Sequence, residues 1–292
     1  MQKKVFQFME QYHMAEEGER ILAAVSGGAD SICLLLILAA LQKEKKYQLF
    51  VVHVEHGIRG EESKKDAEFV ENFCKKHKIP CNVYHCKAEI YAKEHKMTVE
   101  EGARELRYGY FREAVETFGA DKIAVAHNQN DCAETMLFHL ARGTGLKGLC
   151  GILPVRENII RPLLCVERKE IEAYLKEQGQ EYCVDKTNEE LEYTRNRIRH
   201  QVLPVLNEIN SQAIAHMNQT AAMAVELEEL VQQLTREARE RYVRRTAAGT
   251  LVLHGIQKEN PVICKSLIHQ VLTEQAESSR DISCLLYTSD AA

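Results

Sequence analysis

The sequence lacks an apolar run long enough to cross a membrane, and it lacks an excess of positive charge. Its most apolar stretch, residues 32–41, is about half the length of the roughly 20 residues that a spanning helix needs. No secretory signal is expected, because no continuous apolar segment is present near the N-terminus. Lysine and arginine (38) are outnumbered by aspartate and glutamate (43), giving a net charge of −5. This balance excludes a protein that coats nucleic acid by bulk charge, although it allows a local basic patch.

The ten cysteines include no Cys-x-x-Cys pair. Zinc sites and iron–sulfur clusters are therefore poorly supported, since both commonly use cysteines at that spacing. Isolated cysteines in a chain of 292 residues are expected to be reduced core residues of a cytoplasmic protein. A composition of 45% apolar and 28% charged residues predicts a folded chain, and the length predicts about two domains.

Short apolar runs alternate with longer amphipathic segments in the first half of the chain. A helix is predicted near the N-terminus, with the apolar residues 5, 8, 9 and 12 on one side. Strands are predicted at 21–26, 48–54, 80–86 and 122–127, and helices at about 30–46, 62–78, 98–118 and 130–142. Strands that alternate with helices predict a doubly wound α/β fold, Rossmann-like, with a parallel sheet covered on both faces.

The second half of the chain has a different character. A short strand is predicted at 159–164 and a helix at 166–178, and glycine and proline are scarce from about 189 to 245. That composition predicts helices, followed by a strand at 250–256 and a helix at 261–275. The predicted domains are an α/β domain over 1–209 and a smaller, mainly helical domain over 210–292. The last nine residues continue no pattern, as expected of a truncated or aberrant end.

A glycine-rich loop joins the first predicted strand to the next helix, and its residues are Ser26, Gly27, Gly28, Ala29, Asp30 and Ser31. Two glycines let the backbone approach a bulky anion, and a helix N-terminus attracts phosphate. The serines can donate hydrogen bonds, and Asp30 can hold a magnesium ion that bridges phosphates. The loop lacks the lysine of the Walker A motif and the spacing of dinucleotide-binding glycines. The alternative is a plain strand-to-helix turn.

The loop resembles the Ser-Gly-Gly-x-Asp-Ser loop of the PP-loop ATP pyrophosphatases, which adenylate a carbonyl oxygen. Other segments resemble elements of one branch of that superfamily, the tRNA(Ile)-lysidine synthetases. These segments are VHVEHGIRGEES (52–63, with His56 and Arg59), EEGARELRYGYF (100–111), AHNQNDCAETMLFHLARGTGLKGLCGI (126–152) and DKTNEELEYTRNRIRHQVLPVL (185–206). The five motifs occur in the right order and are spread over about residues 20 to 210.

The resemblance implies a two-step ligation with ATP and Mg²⁺. ATP would adenylate the C2 oxygen of the wobble cytidine in a CAU-anticodon tRNA(Ile), and free L-lysine would then displace AMP. The catalytic residues would be Asp30, Arg107, Asp131 and Glu134, and the metal ligand would be Asp30. The ATP-binding residues would be Ser26, Gly27, Gly28, Ala29, Asp30, Ser31, His56, Arg142 and Gly143. The tRNA-binding residues would be Arg104, Arg195, Arg197 and Arg199.

Several of these assignments compete with a purely structural interpretation. Asp131 and Glu134 are three residues apart at a predicted helix start, which suits a lysine pocket but also an N-cap with its N3 partner. The arginines at 104 and 107, and those at 195–199, bind phosphate or tRNA in one interpretation and are solvated in the other. The arginines at 236–245 alternate with glutamates, which predicts an exposed helix with salt bridges.

One position departs from the pattern of the resemblance. Asn130 stands where the lysidine synthetases usually have a second acid, so a magnesium ion would depend on Asp30, phosphate and water. His53 is expected in the core and His127 in the active site. A tRNA thiolase and a non-catalytic ATP-binding module are the alternative functions, and the absence of Cys-x-x-Cys disfavours the thiolase. The sequence leaves open whether the chain forms a homodimer.

Overall fold

The computed structural model describes residues 1–57, 60–184, 194–247 and 249–275. Arg59 and the first part of the 185–206 motif lie outside the described residues. The chain divides into two compact units. The described residues of the first lie within 1–143 and 151–218, and those of the second lie within 144–150 and 219–275.

The described helices and strands follow one another in a regular order. They are α1 (Gln2–Gln11), β1 (Arg20–Ala24), α2 (Ala29–Lys45), β2 (Gln48–Glu55), α3 (Glu61–His77), β3 (Cys81–His85), α4 (Ala88–Glu94), α5 (Val99–Phe118), β4 (Lys122–Ala124), α6 (Gln129–Arg142), α7 (Leu146–Leu149), β5 (Val155–Arg156), β6 (Ile159–Ile160), α8 (Arg168–Glu177), α9 (Thr194–Arg197), α10 (Leu203–Ile209), α11 (Ala213–Tyr242), β7 (Val243–Arg245), β8 (Leu251–Leu253) and α12 (Pro261–Gln275). Short 3₁₀ turns occur at Pro162–Cys165 and Ile256–Lys258, and a π-helical turn at Ile198–Val202.

The first unit is built on a six-stranded sheet in the order β3-β2-β1-β4-β6-β5. Every neighbouring pair is parallel except β5 and β6, which are antiparallel. This arrangement confirms the predicted doubly wound α/β fold. The strand order reverses between β1 and β4, and open α/β sheets bind ligands at such a reversal, beyond the carboxyl ends of the strands.

Alternate residues of the central strands supply cores on both faces of the sheet. Ile21 and Ala23 pack into one cluster with residues of α1, α2, α3 and α8, whereas Leu22 packs into a second cluster with Phe111 of α5. Successive side chains of a strand point to opposite faces, so a strand covered on both faces must be apolar throughout. This requirement explains why the run at 21–25 is continuous rather than alternating.

Local signals set several element boundaries as predicted. Thr98 is the N-cap of α5, and it exchanges hydrogen bonds with Glu101 in the expected capping box. The predicted strand at 159–164 is shorter than expected. Only Ile159–Ile160 pairs with β4, because Pro162 has no backbone N–H to donate and starts a 3₁₀ turn instead. Helix α4 was not predicted from the sequence.

The second unit contains α7, most of α11, the β7–β8 hairpin and α12. The predicted helix through residue 245 is wrong at its end, because α11 stops at Tyr242 and the next three residues pair with β8. The arginines of this segment also find other partners than expected. Arg239 of α11 and Arg245 of β7 both pair with Glu274 of α12 rather than with glutamates of α11. The hydrogen bonds between β7 and β8 and the ion pairs to Glu274 therefore end the helix earlier than its composition predicts. None of the described helices is both long enough and apolar enough to span a membrane.

Candidate active site

Two loops meet the reversal of strand order at the carboxyl edge of the sheet. The loop after β1 leads into α2, and the loop after β4 leads into α6. Because β1 and β4 are hydrogen-bonded neighbours, the N-termini of both helices lie at the same edge. Helix N-termini carry unpaired N–H groups and a positive partial charge, so this edge is suited to bind an anionic ligand.

The glycine-rich loop after β1 is organised by the Ser31 side chain. Ser31 Oγ accepts hydrogen bonds from the backbone N–H groups of Ser26 (3.2 Å) and Gly27 (3.1 Å), and it donates to the Gly28 carbonyl (2.9 Å). The Ser31 hydroxyl therefore holds the backbone of the loop in place. Gly27 has a φ of +92°, a backbone conformation that residues with a side chain rarely adopt. Its carbonyl accepts a hydrogen bond from the Cys183 N–H at 2.9 Å. The N-cap of α2 is Gly28, which brings no side chain between the helix end and a ligand.

Asp30 lies in the first turn of α2 with its two carboxylate oxygens in different surroundings. Oδ2 accepts a hydrogen bond from Arg168 Nη1 at 2.9 Å. Oδ1 is buried and accepts no hydrogen bond of ordinary length in the described part of the chain, although the Asn128 side chain is near enough to lower the pKa of Asp30. Burial raises the pKa of Asp30 to about 6, although the positive charge of Arg168 opposes the shift. A buried, unpaired carboxylate oxygen is unfavourable by itself and fits a ligand of a hard cation such as Mg²⁺.

Asn130 has a structural partner of its own. Its Oδ1 accepts a hydrogen bond from the backbone N–H of Arg168 at 3.0 Å, at the start of α8. Arg168 thus contacts Asn130 through its backbone and Asp30 through its side chain. Arg168 was not among the predicted site residues, because nothing in the local pattern links a helix start to a residue 138 positions earlier.

The N-cap of helix α6 is not the residue that the purely structural interpretation of Asp131 and Glu134 predicts. The N-cap is Asn128, and Asp131 is its N3 partner in a capping box. Asn128 Oδ1 accepts from the N–H groups of Asn130 and Asp131, and Asp131 Oδ2 accepts from Asn128 N–H at 3.0 Å. The interpretation of Asp131 as N-cap with Glu134 as its partner is wrong, because an N-cap three residues earlier already satisfies the helix end.

Glu134 and Asp131 share one partner, Arg199. Glu134 is fully buried, and Arg199 binds both of its oxygens, Nε to Oε1 at 2.7 Å and Nη2 to Oε2 at 3.0 Å. Arg199 Nη2 also lies 3.3 Å from Asp131 Oδ1. Burial raises the pKa of Glu134, and the hydrogen bond and charge of Arg199 oppose this shift. Two-point binding by a guanidinium fixes both side chains.

The basic run after residue 194 is therefore not uniformly solvated. Arg199 lies in the π-helical turn and is held by the two acids, and Arg195 Nη2 donates to Thr135 Oγ1 of α6 at 2.7 Å. Arg197 is exposed. The solvated interpretation is wrong for Arg199, because a fully buried carboxylate requires a counter-charge. Contact of these arginines with tRNA stays a prediction.

A second polar cluster forms where β2 and β3 end. His56 Nε2 lies 3.4 Å from Arg107 Nε and 3.3 Å from Arg107 Nη2, and His56 Nδ1 lies 3.5 Å from Cys86 Sγ. Burial and the charge of Arg107 lower the pKa of His56 to about 4, so the ring is neutral near pH 7. The Arg104 guanidinium packs over the Tyr108 ring at 5.3 Å. His53 is buried, as expected of a core residue.

Two predicted ATP-binding residues lie at the other end of α6. Arg142 is the last residue of the helix and packs over Phe138, and Gly143 follows it with a φ of +76°. Arg142 lies eleven positions after Asp131, which is about 16 Å along a helix axis. Helix α6 thus places these two residues apart from its N-terminal acids, and their role in ATP binding stays a prediction.

Comparison with known proteins gives consistent matches. Residues 1–206 match the family model described as the PP-loop domain. The chain is 48% identical over 208 residues to the tRNA(Ile)-lysidine synthase of Thermosipho africanus, 44% over 227 residues to that of Caldanaerobacter subterraneus, and 45% over 210 residues to that of Bacteroides thetaiotaomicron. These matches cover 71%, 77% and 72% of this chain but 48%, 49% and 48% of the relatives. The chain thus spans about half the length of these curated relatives.

A solved structure shares the fold at low sequence identity. It is the U34-tRNA thiolase NcsA from Methanococcus maripaludis with its [4Fe-4S] cluster, at a TM-score of 0.64 and 16% identity. The match covers 77% of each chain. At this identity the likeness concerns the fold alone.

Proposed function

The chain belongs to the family of PP-loop domains, and from this premise we propose that it is the ATP-using catalytic part of a tRNA(Ile)-lysidine synthase. The proposed reaction ligates free lysine to C2 of the wobble cytidine of a CAU-anticodon tRNA(Ile). It proceeds through an adenylated tRNA and releases pyrophosphate and AMP. The observation that supports it most is the placement of Asp30 and Asp131 in the first turns of α2 and α6, the helices that follow the neighbouring strands β1 and β4.

The first step of the proposal requires a site for the ATP phosphates. The glycine-rich loop and the N-terminal N–H groups of α2 would bind them through the backbone. Arg107 would supply a positive charge from α5, held in orientation by the neutral His56 ring. Asp30 would hold Mg²⁺ through the buried Oδ1, and the bound ion would offset negative charge on the phosphate oxygens.

The second step requires recognition of a cationic amino acid. Asp131 and Glu134 are proposed as the lysine-binding acids, and their surroundings suggest a division of roles. Glu134 is fully buried and holds Arg199, whereas the Asp131 side chain is about one fifth exposed, at 19%. Asp131 would therefore meet the lysine ammonium directly, and Glu134 would act by fixing Arg199. Selecting lysine over uncharged amino acids needs such a carboxylate at a fixed position.

A labelling experiment tests the proposed function. The chain is incubated with ATP, Mg²⁺, radiolabelled lysine and a tRNA(Ile) transcript carrying CAU, with the same transcript carrying GAU as control. We expect label in the CAU transcript alone, together with AMP in equal amount. AMP release without labelled RNA would contradict lysine as the second substrate. Label in both transcripts would contradict recognition of the wobble cytidine.

Replacement of Asp131 by asparagine should raise the KM for lysine about tenfold or more, because one charge-assisted hydrogen bond is lost. The fold should be retained, since asparagine can still accept the hydrogen bond from Asn128 N–H that Asp131 accepts in the capping box. The KM is measured from the rate of lysidine formation as the lysine concentration is varied at a fixed concentration of adenylated tRNA. Glu113→Gln, which removes one exposed carboxylate from α5, is the matched charge control. An unchanged lysine KM in Asp131→Asn would remove this residue from the lysine site.

A further inference from the structure

Arg161 is a buried cation whose side chain has two partners among the described residues, both of them neutral acceptors. It follows β6 directly and is 8% exposed. Its Nη1 donates to the Leu153 carbonyl at 2.7 Å, and its Nε donates to His127 Nδ1 at 3.2 Å. A buried guanidinium usually pairs with an acid. Because Arg161 instead donates to the imidazole of His127, its position there points to an effect on that ring.

Backbone hydrogen bonds on both sides of Arg161 fix the position of its main chain, from which the side chain extends. Arg161 N–H donates to the Pro154 carbonyl at 3.0 Å, and the Arg161 carbonyl accepts from Leu164 N–H at 3.1 Å. Ile160, the preceding residue, pairs with Ala124 of β4, and its carbonyl accepts from Val125 N–H. This pairing brings the end of β6 beside the loop after β4, which carries His127.

The contact with Arg161 determines which ring nitrogen of His127 carries the proton. A guanidinium can only donate, so Nδ1 of His127 must accept and cannot be protonated. Burial lowers the pKa of His127 to about 4, with a further contribution from Arg161, and the ring is therefore neutral near pH 7. A neutral ring with an unprotonated Nδ1 carries its hydrogen on Nε2.

His127 lies among residues of the proposed active site. His127 directly precedes Asn128, the N-cap of α6, and Asp131 lies in the first turn of that helix. The charges of Asp131, Arg161, Arg195 and Arg104 also act on the His127 ring. Three of these side chains belong to the lysine or tRNA sites proposed above. An N–H donor held in these surroundings is suited to an acceptor oxygen of a bound substrate.

We propose that Arg161 is a positioning residue: it holds His127 in the Nε2–H form, and Nε2–H donates a hydrogen bond to an acceptor oxygen of the substrate. The acceptor is either a phosphate oxygen of ATP or the C2 carbonyl oxygen of the base, and both require the same donor. The inference rests on the proposed function for the identity of the substrate. The protonation state of His127 is independent of it.

Nitrogen NMR on histidine-labelled protein tests the first half of the inference. The His127 signals are assigned by their loss in His127→Gln. We expect an unprotonated Nδ1 and a protonated Nε2 in the unmodified chain at pH 7, and a mixture of both forms in Arg161→Met. A proton on Nδ1 of the unmodified chain would overturn the inference without any bearing on lysidine synthesis.

Two replacements of His127 that differ in reach test whether Nε2–H donates a hydrogen bond to the substrate. The amide of glutamine reaches the place of Nε2 and can donate there, whereas that of asparagine reaches only the place of Nδ1. We therefore expect kcat for RNA-dependent AMP release to fall about tenfold or more in His127→Asn and markedly less in His127→Gln. Equal losses in the two variants would contradict an Nε2–H donor.

A double-mutant cycle shows whether Arg161 acts through His127. Arg161→Met should lower kcat about tenfold in the unmodified background and should have little further effect in His127→Asn. Additive losses would overturn the positioning role and leave a separate structural one. Weaker binding of a non-hydrolysable ATP analogue in His127→Asn would assign the acceptor to phosphate, and unchanged binding would assign it to the base. If the unmodified chain forms no lysidine, the proposed function fails, and a shift of Nε2–H on adding the ATP analogue still tests the donor.

Discussion

Replacement of Asp30 by asparagine is expected to lower AMP formation by about 10²–10³-fold while tRNA affinity changes little. Asparagine keeps the shape of the side chain and an acceptor for Arg168, but it removes the charge that would hold Mg²⁺ against the phosphates. AMP release and filter binding of labelled tRNA measure the two effects separately. Wild-type AMP formation in Asp30→Asn would remove this residue from the reaction.

The same replacement is expected to stabilise the fold in the absence of divalent cations. The pKa of Asp30 is raised from 3.8 to about 6, so its ionised form is disfavoured in the folded chain, and stability is lost as the pH rises from about 4 to 6. At pH 7 this loss amounts to at most about 3 kcal/mol, and asparagine avoids it because it does not ionise. Urea denaturation with a chelator present measures the difference. Lower stability together with lower activity would indicate that Asp30 serves the fold rather than the reaction.

Replacement of Arg199 by methionine is expected to destabilise the chain by about 3–5 kcal/mol. It leaves the fully buried Glu134 carboxylate without the guanidinium that now binds both of its oxygens. Arg197→Met is the matched control, because Arg197 lies two residues away in the same basic run and is exposed. Its effect on stability should stay within about 0.5 kcal/mol. Urea denaturation of both variants measures the contrast.

Combining Arg199→Met with Glu134→Gln separates the ion pair from other roles of Arg199. The double variant should recover part of the lost stability, because the neutral amide no longer needs a counter-charge. If Arg199→Met changed only the salt dependence of tRNA binding, by about one unit of slope, Arg199 would be a solvated RNA contact instead. That outcome would contradict the ion pair as the main role of this arginine.

The sequence alone determined the features that depend on neighbouring residues. The continuous apolar run before the glycine-rich loop predicted β1, and alternation with helical segments predicted the doubly wound sheet. The capping box at Thr98 predicted the start of α5 within one residue. These signals are local, because strand alternation, helix periodicity and capping are interactions over about four residues or fewer.

The tertiary structure alone decided which distant side chains meet at the carboxyl edge of the sheet. Arg168 reaches Asp30 across 138 positions of sequence, Arg199 reaches Glu134 across 65, and Arg161 reaches His127 across 34. Each of these arginines has the same local appearance as an exposed one, so no pattern of neighbours predicts its partner. The partners of Arg168 and Arg161 follow from the strand order β3-β2-β1-β4-β6-β5, which places the ends of β1, β4 and β6 side by side. Arg199 reaches Glu134 from the π-helical turn that packs against α6. Burial then makes a guanidinium the required partner of Glu134, because an ionised carboxylate out of water is stable only beside a counter-charge.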